Sequence, residues 1–243
     1  MNSQRLCIVT GSSKGLGLEI CKQLIKSEYT VLGISRSKSE ISNDKYFHLS
    51  HDFKNKINID EILKMKINFK MKIYVILNAA ERYDDEYDSN NFFKTFLTSF
   101  NVNFYNQIDF VNKLSQKENI EKLFCVSTYA IFTSGNRDIG YYLAKDNYYK
   151  MTLLLKKFYR IKCKSIIIGA MKTRMLTEKP STISKLPIIG IFLENKLSIS
   201  VNDASKKIIE NFENNRDIIL IPNIPIFLVK LLVKIIETIS IKK

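Results

Sequence analysis

Tyr141 and Lys145 are two side chains whose types and spacing could support acid–base chemistry. Residues four apart on a helix share one face, and the surrounding pattern predicts a helix over 139–160. A phenol with its ordinary pKa of about 10 exchanges protons poorly at neutral pH, but a nearby ammonium favours the phenolate and lowers that pKa. The pair therefore predicts a proton donor for a carbonyl, or a base for an alcohol.

Further polar groups end two of the predicted strands. The fifth strand ends in Ser127 and Thr128, whose hydroxyls could hydrogen-bond a reacting oxygen. Asn78 ends the fourth strand, and Asn103 lies in the helix that follows it. Strand ends of a parallel sheet meet at one crevice, so these groups are predicted to share a rim with Tyr141.

A glycine-rich turn, Thr10-Gly11-Ser12-Ser13-Lys14-Gly15-Leu16-Gly17, lies between an apolar run and an amphipathic segment that ends near Ser27. Gly11 can adopt the positive φ that a sharp exit from a strand requires. Gly15 and Gly17 leave room for a phosphate and for the neighbouring strand. The N–H groups of the helix that begins there would point at an anion, so the turn predicts a pyrophosphate site.

The elements that must position these residues alternate along the chain. Apolar strands are predicted at 5–10, 30–34, 45–49, 72–78, 121–127, 163–169 and 217–221, and helices near 15–27, 57–67, 89–117, 139–160 and 202–214. Several strands are apolar almost throughout, as in a sheet covered on both faces. The pattern predicts an α/β fold with one doubly wound, parallel, seven-stranded sheet of Rossmann type.

Composition narrows the function classes. The 243 residues predict one domain over 1–243, and the four scattered cysteines suit buried thiols in a reducing compartment. The two histidines have no ligand cluster around them, so no metal is predicted. The net charge of +14 is high, but a nucleic-acid surface would want aromatic residues interleaved among the basic ones. Attraction to anionic lipid or to phosphorylated substrates suits the charge at least as well. No signal peptide opens the chain, so a cytoplasmic location is expected.

Two segments interrupt the alternation. Residues 174–200 carry two prolines and an apolar patch at 186–193, and they are interpreted either as a substrate lid over the crevice or as a packed surface loop. The tail at 224–241 is predicted to form an apolar helix, with Lys230, Lys234 and Glu237 in one narrow polar stripe. Three alternatives stay open for that helix: a peripheral membrane contact, an oligomer contact, or packing on the core.

These motifs together resemble the short-chain dehydrogenase/reductase family over about residues 5 to 222. Thr10 to Gly17 has the family's TGxxxGxG form, and Leu77-Asn78-Ala79-Ala80 resembles its NNAG motif. Tyr141 to Lys145 matches YxxxK, Val102-Asn103 stands where the family has its active-site Asn, and Gly169 to Thr173 resembles PGxxxT. Leu77, Ala80 and Ile168 depart from the family's usual residues, but none of these changes removes a catalytic group.

The resemblance implies a role for each matching residue. Tyr141 would be the general acid/base, Lys145 would lower its pKa and bind the nicotinamide ribose, and Asn103 would hold a water in a proton relay. The family's serine, which orients the substrate, corresponds by spacing to Thr128, with Ser127 as the alternative. The implied cofactor-binding residues are Gly11, Ser13, Lys14, Gly15, Leu16, Gly17, Arg36, Asp52, Phe53, Asn78, Ala79, Ala80, Tyr141, Lys145 and Thr173.

The second strand ends in Arg36, where an acid would bind the adenosine ribose and repel a 2′-phosphate. Arg36 and Lys14 would instead attract that phosphate, so the sequence predicts NADP(H) over NAD(H). The expected function is hydride transfer between nicotinamide and a small carbonyl or alcohol substrate. The alternatives are a catalytically silent nucleotide-binding or scaffold protein of the same fold and, with a poorer match in the glycine turn, a sugar-nucleotide epimerase or dehydratase. The resemblance also implies a homodimer or homotetramer joined through 89–117 and 139–160.

Overall fold

The computed structural model describes residues 4–83, 90–132, 138–158, 162–169, 171 and 198–231. Seven parallel strands form one sheet in the order β3-β2-β1-β4-β5-β6-β7. Their bounds are β1 Arg5–Thr10, β2 Thr30–Ser35, β3 Tyr46–Ser50, β4 Lys72–Leu77, β5 Ile120–Thr128, β6 Lys162–Ile168 and β7 Ile218–Ile221. The predicted Rossmann-type sheet is confirmed, and each strand begins and ends within one residue of its predicted bounds.

Helices cover both faces of the sheet, which explains why the central strands are apolar on both sides. One apolar layer packs α1 (Gly15–Lys26) and α6 (Val201–Glu210) against the sheet. The other layer includes α2 (Ile59–Leu63), α4 (Asn106–Ser115) and α5 (Ile139–Phe158). Residues such as Ile8, Leu32 and Val75 face this second layer and are fully buried.

The helix predicted over 89–117 contains a change of helical type. It begins as α3 (Phe92–Phe100), widens into a π-helical segment at Asn101–Tyr105, and continues as α4. The side-chain Nδ2 of Asn103 donates to the carbonyl of Ser99 at 2.8 Å, the acceptor that an α-helix would pair with a backbone N–H. This competition accounts for the local widening, which hydrophobic periodicity alone does not reveal.

The remaining helices differ from the expectation mainly in length. The helix predicted over 57–67 is confined to α2, where the side chain of Asn58 accepts from the backbone N–H of Asp60 at 3.1 Å and caps it. α6 ends at Glu210, four residues earlier than expected. The predicted lid at 174–200 lies outside the described residues except for 198–200, and the tail is described as far as residue 231.

Candidate active site

The glycine turn connects β1 to α1 at the carboxyl edge of the sheet. A Cβ on Gly17 would lie 2.1 Å from the carbonyl oxygen of Gly11, so only glycine permits this close approach. Gly15 has a φ of +58°, and nothing lies within 4 Å of the position a Cβ would take there. The turn therefore leaves open space in front of the first N–H groups of α1, which is where an anion binds a helix.

A network of buried hydrogen bonds fixes this turn to the end of β4. The hydroxyl of Thr10 accepts from the backbone N–H groups of Asn78 and Ala79, each at 2.9 Å, and donates to Gln107 at 2.7 Å. Gln107 in turn donates to the carbonyl of Ala79 at 3.0 Å. The Asn78 side chain donates to the carbonyls of Thr10 and Gly11 at 3.1 and 3.3 Å. Asn78 and Ala79 thus support the turn.

Charged residues follow β2, β3 and β4 at the same edge. The guanidinium of Arg36 forms an ion pair with Glu81 at 3.2 Å, and Lys54 lies 3.8 Å from the same carboxylate. Lys14 is exposed at the start of α1. Three cations therefore lie at this edge, and the sequence analysis missed both Lys54 and the acid that pairs with Arg36 and Lys54.

The Asp52–Phe53 segment lies at the same rim. Asp52 is partly exposed, and its carboxylate accepts from the backbone N–H of Lys54 at 2.9 Å. The side chain of Phe53 is buried in the core, and its carbonyl accepts from Asn106 at 2.8 Å. Because the Phe53 side chain is buried, only the main-chain atoms of this residue could contact an adenine ring.

Asn103 is fully buried, and its amide is engaged within the protein. Its Oδ1 accepts from the backbone N–H of Glu81 at 2.9 Å, and its Nδ2 donates to the carbonyls of Glu81 and Ser99, both at 2.8 Å. The side chain thereby joins the π-helical segment to the chain that follows β4. Any part that Asn103 plays in a proton relay then depends on its main-chain atoms.

Lys145 lies beneath Tyr141, as the four-residue spacing requires. Its Nζ lies 5.7 Å from the ring centroid of Tyr141 and 5.2 Å from that of Tyr148. The side chain is buried, and among the described residues its ammonium has no hydrogen-bond partner. Burial lowers the pKa of Lys145 to about 8. A buried cation without a partner is costly, and it marks a place where a polar ligand would be stabilised.

Asp138 fixes the start of α5 and therefore the position of Tyr141. Its carboxylate accepts from the backbone N–H of Tyr141 at 2.8 Å, from the hydroxyl of Ser99 at 2.8 Å and from the backbone N–H of Tyr83 at 2.7 Å. These bonds tie α5 to α3 and to the chain after β4. An Asp directly before a predicted helix is a recognisable capping signal. Its other partners, Ser99 and Tyr83, lie far away in the sequence and could not be recognised from it.

The two hydroxyls at the end of β5 have different environments. Ser127 is buried, and its hydroxyl donates to the carbonyl of Lys145 at 2.8 Å. Thr128 is partly exposed, and its hydroxyl oxygen accepts from the backbone N–H of Ala130 at 3.2 Å. The Ser127 hydroxyl already has an internal acceptor, whereas the Thr128 hydrogen has none in these contacts. Thr173, the last of the predicted cofactor-binding residues, lies outside the described part of the chain.

The arrangement can be tested against a dinucleotide with observations of two kinds. The open space over Gly15 suits a diphosphate, and the unpartnered ammonium of Lys145 suits ribose hydroxyls.

Within the described ranges, no helix is long and apolar enough to cross a membrane. The described residues also contain no group of three or more His, Cys, Asp or Glu side chains that could hold a metal ion. All four cysteines are buried and free, as expected.

The sheet order and the glycine turn define a Rossmann-type α/β protein. The chain belongs to the short-chain dehydrogenase family, whose sequence model matches residues 5–184. Its fold is similar to that of a short-chain dehydrogenase family protein from Francisella tularensis, with 17% identity, a TM-score of 0.67 and coverage of 90% of this chain and 97% of that one.

Two further similar structures are complexes with a nicotinamide cofactor. A short-chain dehydrogenase from Burkholderia cenocepacia in complex with NADP has 16% identity and a TM-score of 0.67, with coverage of 90% and 87%. A 4-hydroxyisoleucine dehydrogenase complexed with NADH has 12% identity and a TM-score of 0.69, with coverage of 89% and 96%. At these identities the likeness establishes the fold. No curated protein sequence matches the chain significantly.

Proposed function

We propose that this protein is an NADP(H)-dependent oxidoreductase that interconverts a small carbonyl compound and the corresponding alcohol, with Tyr141 as the general acid/base. The observation that carries the proposal is the buried ammonium of Lys145, which lies 5.7 Å from the centre of the Tyr141 ring and has no hydrogen-bond partner in the described part of the chain. Structural neighbours in complex with NADP and with NADH support the use of a nicotinamide cofactor. Thr128, Lys145 and Asn103 complete the proposed catalytic set.

When bound, the nicotinamide supplies or accepts hydride at the substrate carbon. In the reductive direction Tyr141 gives a proton to the developing alkoxide, and the Thr128 hydroxyl donates a hydrogen bond to the same oxygen. The Lys145 ammonium favours the resulting phenolate and donates to ribose hydroxyls, which gives this buried charge the partners it lacks. Asp138 keeps Tyr141 in place throughout, because it caps the helix that carries it.

Lys14, exposed at the start of α1, and Arg36, directly after β2, support the choice of NADP(H), because cations at these positions would attract an adenosine 2′-phosphate. Gly11, Ser13, Gly15, Leu16 and Gly17 are the proposed diphosphate and packing residues of the turn. Asp52, Phe53 and Ala80 are the proposed contacts on the adenosine side, and Thr173 is proposed to contact the nicotinamide.

A homodimer or homotetramer is proposed through α3 and α5. Both helices expose large apolar side chains: Phe93 is 76% exposed, Leu97 54% and Leu154 58%. α3 and α5 pack against each other, and exposed apolar side chains on neighbouring helices are typical of an oligomer interface. The four buried thiols suit a cytoplasmic location, since reducing compartments keep cysteines free.

The test of the proposal is the pair of variants Tyr141→Phe and Tyr142→Phe, assayed with NADPH and a panel of carbonyl compounds. Tyr141→Phe should lower kcat by about 10²- to 10⁴-fold while NADPH binding persists, because only the proton donor is lost. Tyr142→Phe changes the adjacent ring in the same way and should keep kcat near that of the wild type. Full turnover in Tyr141→Phe contradicts the assignment of the acid/base. NADPH binding without turnover of any carbonyl in the wild type would favour the silent nucleotide-binding alternative.

A further inference from the structure

The chain that follows β7 is attached beside the proposed substrate end of the crevice. The hydroxyl of Tyr129, the residue after Thr128, donates to one of the carbonyls of Pro222 and Ile224, which lie 2.8 and 2.9 Å from it. A helical segment begins at residue 226, and its Val229 is 4% exposed, packed in a cluster with Tyr129 and Ile167. The inner side of this segment is therefore fixed to the carboxyl edge of β5 and β6.

The outer side of the segment is apolar and faces solvent. Phe227 is 67% exposed, Leu228 39% and Leu231 53%, and the three lie within about 100° of one another around a helix. Lys230 is exposed beside them, with its Nζ 5.5 Å from the ring centroid of Phe132. Single exposed apolar side chains are ordinary, but a contiguous face of them indicates a surface that a partner covers.

The sequence of the tail favours an anionic lipid surface as that partner. Between 224 and 243 there are four lysines, at 230, 234, 242 and 243, and one acid, Glu237. The remaining residues from 232 to 241 are mostly Leu, Val and Ile. Two copies of the tail would bring these positive charges together, whereas anionic headgroups would neutralise them while the acyl boundary covers the apolar face. The net charge of +14 for the whole chain attracts it to the same surface.

We propose that the face formed by Phe227, Leu228, Lys230 and Leu231 binds in the interfacial layer of an anionic membrane. Because the segment is fixed next to Thr128 through Tyr129, this contact would bring the substrate end of the crevice close to the bilayer surface. Binding itself is independent of the proposed reaction. Membrane contact would favour substrates that are held at, or delivered from, a membrane. This consequence rests on the proposed function.

The chain contains no tryptophan, so a single Phe227→Trp substitution in the full-length protein introduces a unique fluorescent probe. Vesicles of phosphatidylcholine and phosphatidylglycerol in about equal parts should shift its emission to the blue, because the indole enters the interface. Pure phosphatidylcholine vesicles should cause a much smaller shift. Lys206→Trp, at an exposed position of α6, places the same probe outside both proposed contact faces and should show no response to either vesicle.

Co-sedimentation with the same anionic vesicles measures the contribution of the face to binding. Phe227→Glu combined with Leu231→Glu should weaken binding by about tenfold or more, because two carboxylates replace the inserting side chains. Lys206→Glu on α6 changes the net charge by the same two units on another surface and should bind within about threefold of the wild type. Circular dichroism confirms that each variant is folded.

Several outcomes overturn the proposal. The Phe227→Trp emission could fail to respond to anionic vesicles, or respond equally to pure phosphatidylcholine. Lys206→Glu could lose as much binding as the double variant, which would assign binding to overall charge. Sedimentation velocity without vesicles could show that the double variant dissociates an oligomer, which would assign the face to a second copy of the chain. None of these measurements uses substrate or cofactor, so failure of the proposed reaction is separate: vesicle binding without turnover contradicts only the enzyme assignment.

Discussion

Buried lysines at the two edges of the sheet have opposite environments. At the amino edge, Lys122 on β5 donates to the carbonyl of Phe212 at 2.9 Å and pairs with Glu213. Lys164 on β6 donates to the carbonyl of Asn211 at 3.3 Å and to the side chain of Asn214 at 2.9 Å. At the carboxyl edge, the equally buried ammonium of Lys145 has no partner among the described residues.

The comparison distinguishes lysines that stabilise the fold from a lysine whose environment suits a bound ligand. Lys122 and Lys164 bind the carbonyls that follow the end of α6, where a helix leaves acceptors unpaired and its dipole favours a cation. Lys145 gains nothing comparable from the residues that the structure describes, and burial lowers its pKa to about 8. A folded chain keeps such a group at a cost in stability, which indicates that function rather than stability explains its presence.

The largest expected effect is on catalysis. Lys145→Met should lower kcat/KM by about 10²- to 10⁴-fold, because the phenol of Tyr141 loses the cation that favours its ionised form. Lys122→Met removes a buried lysine that has protein partners and lies at the amino edge, so it should leave kcat/KM within about threefold of the wild type. Steady-state kinetics with NADPH and a carbonyl substrate that the wild type reduces measure both values. Equal losses in the two variants would mean that the two edges do not differ in function.

Part of this comparison was predictable from the sequence. The strands could be located because their apolar runs are continuous and bounded by polar residues, as in Ile73-Tyr74-Val75-Ile76-Leu77. Lys145 was predicted to lie beneath Tyr141 because helical spacing is local. Burial of Lys122 was not predicted, because a lysine within a strand carries no signal of what the end of a distant helix will offer it.

The same limit applies to the candidate site. Asp138 and Ser99 are 39 residues apart, and Glu81 and Arg36 are 45 apart, so their contacts arise from the packing of separate elements. The π-helical segment was also missed, because it depends on where the Asn103 side chain finds acceptors. Motif spacing therefore identified the residues that follow strand ends, whereas it missed the partners that hold them.

The second expected effect is on stability, where the two lysines should differ in sign. At pH 7, Lys145→Met should raise the free energy of unfolding by up to about 3 kcal/mol, the equivalent of lowering a pKa from 10.5 to about 8. Lys122→Met should lower it by about 1 to 3 kcal/mol, because it leaves buried acceptors unpaired. Urea denaturation of the cofactor-free proteins measures both changes.

The pH dependence of that difference follows from the direction of the shift. Between pH 8 and 10.5 the unfolded chain still holds the proton of Lys145 while the folded chain has released it. The free energy of unfolding of the wild type should therefore rise with pH across this window. The difference in that free energy between Lys145→Met and the wild type should shrink there and disappear above pH 10.5. A constant advantage from pH 7 to 10.5 would contradict the inference that an unpartnered ammonium is the cause.

The smallest expected effect concerns Arg36, a cation at the carboxyl edge that does have a protein partner. Its ion pair with Glu81 at 3.2 Å is partly exposed, so a 2′-phosphate would compete with that carboxylate for the guanidinium. Glu81→Gln should raise the ratio of kcat/KM for NADPH to that for NADH by a factor on the order of five, and Arg36→Ala should lower it similarly. The Asn103 bonds use main-chain atoms of Glu81, so this substitution leaves them in place.

Glu40→Gln, which breaks the surface pair with Lys22 at 2.6 Å, is the control and should not change the ratio. A lower ratio in Glu81→Gln would mean that Glu81 supports NADPH binding, and that Arg36 is held for structure as Lys122 is.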